Sequence, residues 1–233
     1  EVAKSVLVAW NLEGATVSPL GSGLINRTWL VAAPAGRYVL QQVNPIFPGA
    51  INEDIQVVTA HLRARGLAAP ELLRTTDGRL WLDDPGGAFR LMTQVDGVSR
   101  DRLESPAEAR EAGQLLARFH RALADLEHEF RNQRLGVHDT DRHLAVLRQA
   151  LVEHATHRDI GAIRPVAAEI LGLADALPRL PALPDRVVHG DPKINNLLFD
   201  AASGRALCFI DLDTLGRMPL HLELGDAFRS WCN

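Results

Sequence analysis

The sequence contains few of the residues on which several kinds of site depend. Of its 233 residues only Cys208 and Cys232 are cysteines, and neither belongs to a Cys-x-x-Cys pair, which argues against a disulfide framework and a zinc ribbon. No apolar run approaches the ~20 residues of a membrane helix, and no signal-peptide pattern opens the chain. The 25 Lys and Arg residues face 29 Asp and Glu, a net charge of −4 that disfavours nucleic-acid or membrane binding. The expected location is the cytoplasm.

Lysine is nearly absent as well. The two lysines are Lys4 and Lys193, so chemistry that needs an ammonium group depends on one of them unless an arginine substitutes. A chain of this length with 46% hydrophobic residues can bury a sizeable core in one or two domains. Because the sequence starts at Glu1 rather than Met and stops at Asn233 inside an amphipathic segment, we expect it to be part of a longer protein.

The N-terminal third predicts strands with one helix. Ala50–Arg65 has apolar residues at helical spacing, and Gly66 follows it as a residue that readily ends a helix. Four short runs between turn residues are typical of strands: 28–31, 37–43, 71–74 and 89–95. A glycine-rich break at 21–23 precedes the first of them.

The remainder predicts mainly helices followed by a hairpin. Ser105, Pro106 and Glu108 form a helix-start pattern, and the helix should continue to about Asp125. Two further helices are expected near 141–154 and 165–177, and a strand-rich stretch is expected from Val187 to Asp213. That stretch includes a hairpin of 197–200 with 206–211.

The densest polar cluster in an apolar setting extends from His189 to Asn196, and the predicted hairpin leads from it to Asp211. An ionised carboxylate at the end of an apolar strand is costly unless it meets a cation or several donors. Carboxylate and carboxamide oxygens are ligands that suit Mg²⁺. The pattern therefore favours a site for a divalent ion with phosphate.

Phosphoryl transfer needs a carboxylate near the attacking hydroxyl, oxygen ligands for a metal, a cation for the phosphate and a cover over the nucleotide. The sequence offers a candidate for each, in that order: Asp191, Asn196 with Asp211, Lys193, and the Gly21–Gly23 turn. Each has an ordinary alternative. Asp191 could begin a turn before Pro192, and Asp211 with Asp213 could be solvated carboxylates at a strand end. Lys193 could be a solvated surface charge, and the glycines could form a plain hairpin turn.

His189-Gly-Asp191-x-Lys193-x-x-Asn196, followed by Ile-Asp211, resembles the catalytic loop and metal-binding aspartate of the aminoglycoside phosphotransferase and choline kinase superfamily. The resemblance implies an α+β, bilobal, protein-kinase-like fold. Its N-lobe, residues 1–91, would be an antiparallel sheet with one helix. Residues 92–97 would form the interlobe joint, and residues 98–233 a mainly helical C-lobe with the catalytic hairpin. Four segments are similar to N-acetylhexosamine 1-kinases, which phosphorylate the anomeric hydroxyl of free amino sugars with ATP: 23–31, 38–44, 191–196 and 210–214.

The resemblance also implies roles for individual residues. Asp191 matches the base that orients the acceptor hydroxyl, and Lys193 matches a lysine that touches the transferring phosphate. Asn196 and Asp211 match the Mg²⁺ ligands, and Asp213 could serve a second metal or support the first. The expected nucleotide contacts are the covering turn Gly21, Ser22, Gly23 and Asn26, the strand position Gln41, and the joint residues Met92, Gln94 and Val95. His189 is expected to be structural, hydrogen-bonded to backbone under the loop.

Two positions depart from the family pattern. Gln41 occupies the place of a strand lysine that usually pairs with a helix carboxylate, which leaves the role of Glu53 or Asp54 open, and Leu24 occupies the place of a histidine. The expected partner is a small molecule, an amino sugar by the narrower resemblance. Other acceptors stay open, namely homoserine, a choline-like amino alcohol or an aminoglycoside, as does a nucleotide-binding pseudokinase that acts as an interaction module.

Overall fold

The computed structural model describes residues 2–21, 25–132 and 136–232. Ser22, Gly23 and Leu24 therefore lie outside the described residues. The chain divides into two compact units. One comprises Glu1–Gln133 with Pro184–Asn233, and the other comprises Arg134–Leu183. All the predicted site residues that are described belong to the first unit.

The first unit contains a five-stranded antiparallel sheet in the order β1-β2-β3-β5-β4. Its strands are β1 (Thr16–Pro19), β2 (Arg27–Ala33), β3 (Gly36–Gln42), β4 (Leu72–Leu73) and β5 (Phe89–Thr93). A short helix, α1 (Val2–Ser5), and a 3-10 turn (Val6–Trp10) precede the sheet, and α2 (Ile51–Ala64) lies between β3 and β4. The four strands and the helix predicted for this part are confirmed, although β4 and β5 are shorter than expected.

The two faces of this sheet differ because side chains alternate along a strand. On one face, Leu40 and Leu91 are fully buried in a cluster that includes Leu7 and Trp10 from the N-terminal turn. The other face carries Gln41 of β3, which the register places directly opposite Arg90 of β5 and Thr28 of β2. This polar row faces away from the first cluster, and it becomes part of the candidate site.

Helix α3 (Pro106–Ala122) begins as its sequence predicts. The Ser105 hydroxyl accepts the N–H of Glu108 at 3.2 Å, and Pro106 occupies the first helical position, where no intrahelical N–H bond is lost. The Glu108 carboxylate reaches back to the N–H of Glu104 at 2.8 Å. Beyond the cap, α3 buries Leu115 and Phe119 in the main core together with α2 and the C-terminal strands.

Four strands and one helix complete the first unit. They are β6 (Asp185–Val188), β7 (Leu197–Phe199), β8 (Ala206–Phe209), β9 (Gly216–Pro219) and α6 (Leu220–Trp231). β7 and β8 form the predicted hairpin, and β6 pairs antiparallel with β9. Two 3-10 turns, Ile194–Asn196 before β7 and Leu212–Thr214 after β8, therefore come to the same end of the hairpin.

The second unit contains two helices, α4 (Thr140–Glu153) and α5 (Ile160–Ala176). The predicted start of the latter at Pro165 is wrong, because the helix begins five residues earlier and includes the proline. At the sixth helical position the proline lacks the N–H that would bond the carbonyl of Gly161, so the helix continues there with one backbone hydrogen bond fewer. Across the described part of the chain, no helix combines the length and apolar character required to cross a membrane.

Candidate active site

The loop after β6 is held against the turn after β8. Gly190 adopts a left-handed backbone with φ of +82°, and a Cβ at this position would lie 2.2 Å from the carbonyl oxygen of Thr214. The Thr214 hydroxyl donates to the carbonyl of His189 at 2.8 Å. A side chain at residue 190 would therefore separate the two segments, which explains the requirement for glycine between His189 and Asp191.

His189 is fully buried and acts as a structural bridge. Its Nε2–H donates to the carbonyl of Ile210 at 2.9 Å, and its Nδ1 accepts the N–H of Asp191 at 3.3 Å. Both ring nitrogens therefore bond backbone groups, as the sequence interpretation expected. The imidazole fixes the direction in which the chain enters Asp191 and links it to the residue before Asp211.

Asp191 and Lys193 form an ion pair at the surface of the loop. The Lys193 Nζ lies 2.8 Å from Asp191 Oδ2, and both side chains are partly exposed. The Asn196 amide nitrogen donates to the Asp191 carbonyl at 2.9 Å and lies 3.3 Å from its carboxylate. These contacts give the loop a fixed shape and leave the Asp191 carboxylate open to solvent.

Asn196 and Asp211 are brought to the same end of the β7–β8 hairpin, where the N–H of Ile210 donates to the Asn196 carbonyl at 2.8 Å. Burial and the neighbouring Asp213 raise the pKa of Asp211, while Arg90, His189 and Lys193 oppose that rise. Asp211 also has a left-handed backbone, with φ of +60°. No described residue donates a hydrogen bond to the Asp211 carboxylate.

These two side chains fit a hard cation that is also bound by phosphate. Asn196 uses its amide nitrogen for Asp191, so its oxygen is directed elsewhere, and Asp211 is a carboxylate in surroundings that penalise its charge. Within the described ranges, no group of three His, Cys, Asp or Glu side chains is arranged to hold a metal. A site of this kind would therefore need oxygens from a phosphate to complete the coordination.

Arg90 is a polar residue at the core of the site that sequence reasoning missed. Its guanidinium is 1% exposed and donates to Asp213 Oδ1 at 2.5 Å and to Gln41 Oε1 at 2.9 and 2.7 Å. Asn26 donates to the other oxygen of Asp213 at 2.5 Å. The sequence signal was an arginine between Phe89 and Leu91 in an otherwise apolar strand, because such a buried charge needs a partner.

The two α2 carboxylates do not contact Gln41. Asp54 accepts hydrogen bonds from His128 at 2.7 Å and from the backbone N–H of Arg131 at 3.0 Å. Glu53 pairs with the Arg131 side chain at 3.0 Å. Both residues hold the segment after α3, and this is their role in a chain that has Gln41 in place of the strand lysine. Neither carboxylate replaces the usual partner of a strand lysine.

The remaining predicted nucleotide contacts lie in two places. Gly21 is an exposed turn residue with φ of +70°, where the N–H of Leu20 donates to the carbonyl of Thr28. Met92 is partly buried against the main core at the end of β5. The N–H of Gln94 donates to the Arg37 carbonyl at 3.1 Å, so that backbone donor is already used. Val95 follows outside the strand, in a segment without regular secondary structure.

Helix α6 supports the loop through several side chains, which the sequence did not predict. The fully buried Glu223 carboxylate accepts the N–H groups of His189 at 2.7 Å and Gly190 at 3.3 Å. His120 Nε2 lies 2.9 Å from the other oxygen without the alignment of a hydrogen bond. At the far end of the helix, two more side chains bind the loop: Ser230 accepts the N–H of Ile194, and the Trp231 indole donates to the Pro192 carbonyl.

A family model described as the phosphotransferase enzyme family matches residues 16–233, which include all of these elements except the N-terminal turn. The chain belongs to the phosphotransferase enzyme family. The broader resemblance seen in the sequence is thereby confirmed, together with the prediction that the protein is a phosphotransferase.

Solved structures show the same fold. A microcompartment-associated aminopropanol kinase superposes with a TM-score of 0.66 at 17% identity, covering 97% of this chain and 73% of that one. The amicoumacin kinase hAmiN, in complex with AMP-PNP and Ca²⁺, has a TM-score of 0.63 at 14% identity, covering 92% and 63%. A thermostable mutant of the aminoglycoside phosphotransferase APH(4)-Ia, with ADP and hygromycin B, has a TM-score of 0.61 at 16% identity, covering 97% and 75%.

The likeness confirms the predicted fold class. The chain has the kinase-like α+β arrangement, with an antiparallel sheet in the N-terminal part and a mainly helical C-terminal part. It spans 63% of the length of the amicoumacin kinase and 73% to 75% of the other two structures. The boundaries of the expected lobes, at 1–91, 92–97 and 98–233, stay a prediction.

Proposed function

We propose that this chain carries the catalytic centre of an ATP-dependent kinase that phosphorylates the anomeric hydroxyl of an N-acetylhexosamine or a related sugar. The arrangement of the Asp191 loop beside Asp211 carries the proposal. One turn brings together a partly exposed carboxylate, a lysine and a carboxamide, and the adjacent turn supplies a second carboxylate. These are the groups that phosphoryl transfer to a hydroxyl requires.

Asp191 would orient the acceptor hydroxyl and accept its proton. Its carboxylate is reachable from solvent, while the backbone that bears it is fixed by His189 and Asn196. A strong base is not needed, because the loose transition state of phosphoryl transfer puts little charge on the attacking oxygen. Holding that oxygen in line with the phosphorus supplies a large share of the rate by itself.

Lys193 would contact the transferring phosphoryl group. Its ammonium is 2.8 Å from Asp191 and stands on a flexible stem, so it can reach a phosphate oxygen beside the acceptor. Asn196 and Asp211 would hold Mg²⁺. A bound Mg²⁺ ion neutralises charge on the phosphates that it contacts. The chain's own contribution is to keep these two ligands at one end of a hairpin.

Two segments would contact the nucleotide. Gly21, Ser22 and Gly23 would cover the phosphates, and Met92 to Val95 would meet the adenine, with Val95 supplying backbone groups because the Gln94 N–H is already bonded. Asn26 and Gln41 have their side chains bonded within the protein. We therefore assign them to holding neighbouring side chains rather than to the nucleotide itself.

The charges beside the loop favour a neutral acceptor over a polycationic one. Arg229 of α6 pairs with Asp226 at 2.8 Å, and this pairing, with a smaller contribution from Asp191, raises the pKa of Arg229. Lys193 pairs with Asp191. Two cations thus balance two carboxylates, whereas recognition of a polycation calls for an excess of negative charge. An N-acetylhexosamine is uncharged.

The proposal is tested by Mg²⁺-dependent transfer of phosphate from ATP to a panel of acceptors. The panel contains N-acetylglucosamine, N-acetylgalactosamine, glucose, homoserine, choline and hygromycin B, and the products are identified by mass. A sugar phosphate that is blocked at its reducing end and labile in acid supports the proposal. Phosphorylation of homoserine, choline or hygromycin B alone would instead identify a kinase for an amino alcohol or an aminoglycoside. Clear Mg·ATP binding with no product from any acceptor would favour a pseudokinase.

A further inference from the structure

Two residues of the N-terminal part, one in a strand and one just before a strand, bind the carboxylate of Asp213. Arg90 of β5 donates to Oδ1 at 2.5 Å, and Asn26, just before β2, donates to Oδ2 at 2.5 Å. Asn26 is fixed in turn by the N–H of Asn44, just after β3, which donates to its side-chain oxygen at 2.9 Å. Both oxygens of Asp213 are therefore engaged by the protein, and its side chain is 2% exposed. A second metal at this residue would have to displace those donors.

Gln41 orients the arginine. Its Oε1 accepts two N–H groups of the Arg90 guanidinium, Nε at 2.9 Å and Nη2 at 2.7 Å, and its amide nitrogen donates to the Thr28 hydroxyl at 3.2 Å. These three residues stand opposite one another on adjacent strands. A lysine at residue 41 would offer no acceptor and would bring a second positive charge against Arg90. The glutamine is thus matched to the arginine beside it.

Asp213 is two residues from Asp211 and lies in the short 3-10 turn that follows it. Because Asp211 has a left-handed backbone, the direction of its carboxylate depends on how this turn is held. The sheet therefore controls the position of Asp211 through one buried ion pair. Gln41, which orients Arg90, occupies the strand position where the family resemblance leads one to expect a lysine.

We propose that Arg90 and Asp213, with Gln41 as the orienting acceptor, are positioning residues that set Asp211 for the magnesium–nucleotide complex. This inference rests on the function proposed above. A purely structural ion pair would affect stability alone. A positioning pair also affects how strongly Mg²⁺ promotes nucleotide binding. That effect can be measured without turnover.

The test measures the affinity for ADP by calorimetry, once with Mg²⁺ and once with EDTA, in the full chain and in Arg90→Met and Asp213→Asn. The ratio of the two affinities is the coupling between metal and nucleotide. We expect this ratio to be about 10- to 100-fold smaller in the variants than in the wild type, which is the usual effect of removing a residue that orients a metal ligand. ADP binding in EDTA should change less than about twofold.

Asp54→Asn is the matched control. Asp54 is also a buried carboxylate that binds a side chain, His128, and a backbone N–H, that of Arg131, but it holds the segment after α3. It should lower the melting temperature and leave the coupling unchanged. Arg90→Lys keeps the charge and should retain part of the coupling. Gln41→Met is a milder change that keeps the ion pair and removes the orienting acceptor together with the bond to Thr28, so it keeps the test informative if the two stronger variants do not fold.

The outcomes separate the two proposals. If Arg90→Met, Asp213→Asn and Gln41→Met lower the melting temperature as Asp54→Asn does and all keep the wild-type coupling, the pair is structural and the inference is wrong. If the wild-type chain binds ADP with no effect of Mg²⁺, the proposed function itself fails. Loss of coupling in the Arg90 and Asp213 variants, with partial retention in Arg90→Lys, supports the positioning role.

Discussion

The carboxylate of Glu223 accepts the backbone N–H of His189 at 2.7 Å, although 34 residues separate them in the chain. The same oxygen lies 3.3 Å from the N–H of Gly190. A fully buried acidic side chain on α6 therefore satisfies the backbone that leads into Asp191. The loop that bears Asp191 depends for its shape on a helix that contributes none of the proposed reacting groups.

Replacing Glu223 by alanine should destabilise the protein and disturb the loop. It leaves two backbone N–H groups without an acceptor inside the protein, so we expect a loss of about 3 kcal/mol in the free energy of unfolding. Glu223→Gln keeps one carbonyl acceptor and should cost less. Urea denaturation measures both. Ser230→Ala, which removes the single bond to Ile194, should cost about 1 kcal/mol, and an equal loss in all three variants would contradict this account.

Asp191→Asn should separate catalysis from nucleotide binding. The backbone at Asp191 is held by His189 and Asn196, and the substitution weakens only the carboxylate's contacts with Lys193 and the Asn196 amide, so the fold and the affinity for Mg·ATP should change little. Turnover should fall by about 10²- to 10⁴-fold, because asparagine cannot accept the proton. Steady-state kinetics and calorimetry on the same preparation measure the two effects. Unchanged turnover would disprove the assignment of Asp191.

Gly190→Ala should be among the most damaging single-methyl additions. The new Cβ would lie 2.2 Å from the Thr214 carbonyl oxygen, at a backbone conformation that L-residues disfavour, so we expect a loss of at least about 2 kcal/mol. Gly113→Ala is the matched control, since Gly113 is an exposed position in α3 with open space around it. That change should stabilise the protein by about 0.5–1 kcal/mol. The melting temperature should fall for Gly190→Ala and rise for Gly113→Ala.

Asp211→Asn should stabilise the metal-free protein. Burial and Asp213 raise the pKa of Asp211, which means that the folded state penalises its negative charge. Asparagine removes the charge and tolerates the left-handed backbone, so a gain of about 1 kcal/mol is expected in EDTA. Asp200→Asn is the opposite case, because hydrogen bonds from Ser203 lower the pKa of Asp200, and it should lower the melting temperature slightly. A lower stability of Asp211→Asn in EDTA would contradict the prediction.

The two cysteines should react at very different rates. Burial raises the pKa of the Cys208 thiol to about 12, so the thiolate is scarce at neutral pH, and the side chain is 1% exposed. Cys232 is exposed. Titration with a chromogenic disulfide should therefore find one thiol in the native protein and two in denaturant. Rapid reaction of both thiols under native conditions would show that β8 opens readily.

Elements with a strong local pattern could be predicted from the sequence. The short runs 28–31 and 37–43, bounded by turn residues, became β2 and β3, and the Ser105 cap placed the start of α3 to the residue. These features depend on interactions within a few residues. The predicted start of α5 is too late, because proline is typical of helix starts whereas Pro165 lies inside this helix.

The supporting parts of the site could not be predicted in the same way. The motif containing Asp191 is contiguous, whereas Arg90 and Glu223 act through partners that are distant in the chain. Their local sequences show a charge within an apolar strand and an acid within an amphipathic helix. Such patterns indicate that a partner exists, but the identity of the partner depends on the tertiary fold.

The contacts that hold Asp213 also bear on how the chain acquires its structure. Asn26 and Arg90 reach this carboxylate across 187 and 123 residues. The hairpins of the sheet are local and can form early during synthesis, but contacts of such long range form slowly and only after residue 213 has been made. The arginine therefore remains without its counter-charge until the 123 residues that follow it, up to Asp213, have been translated.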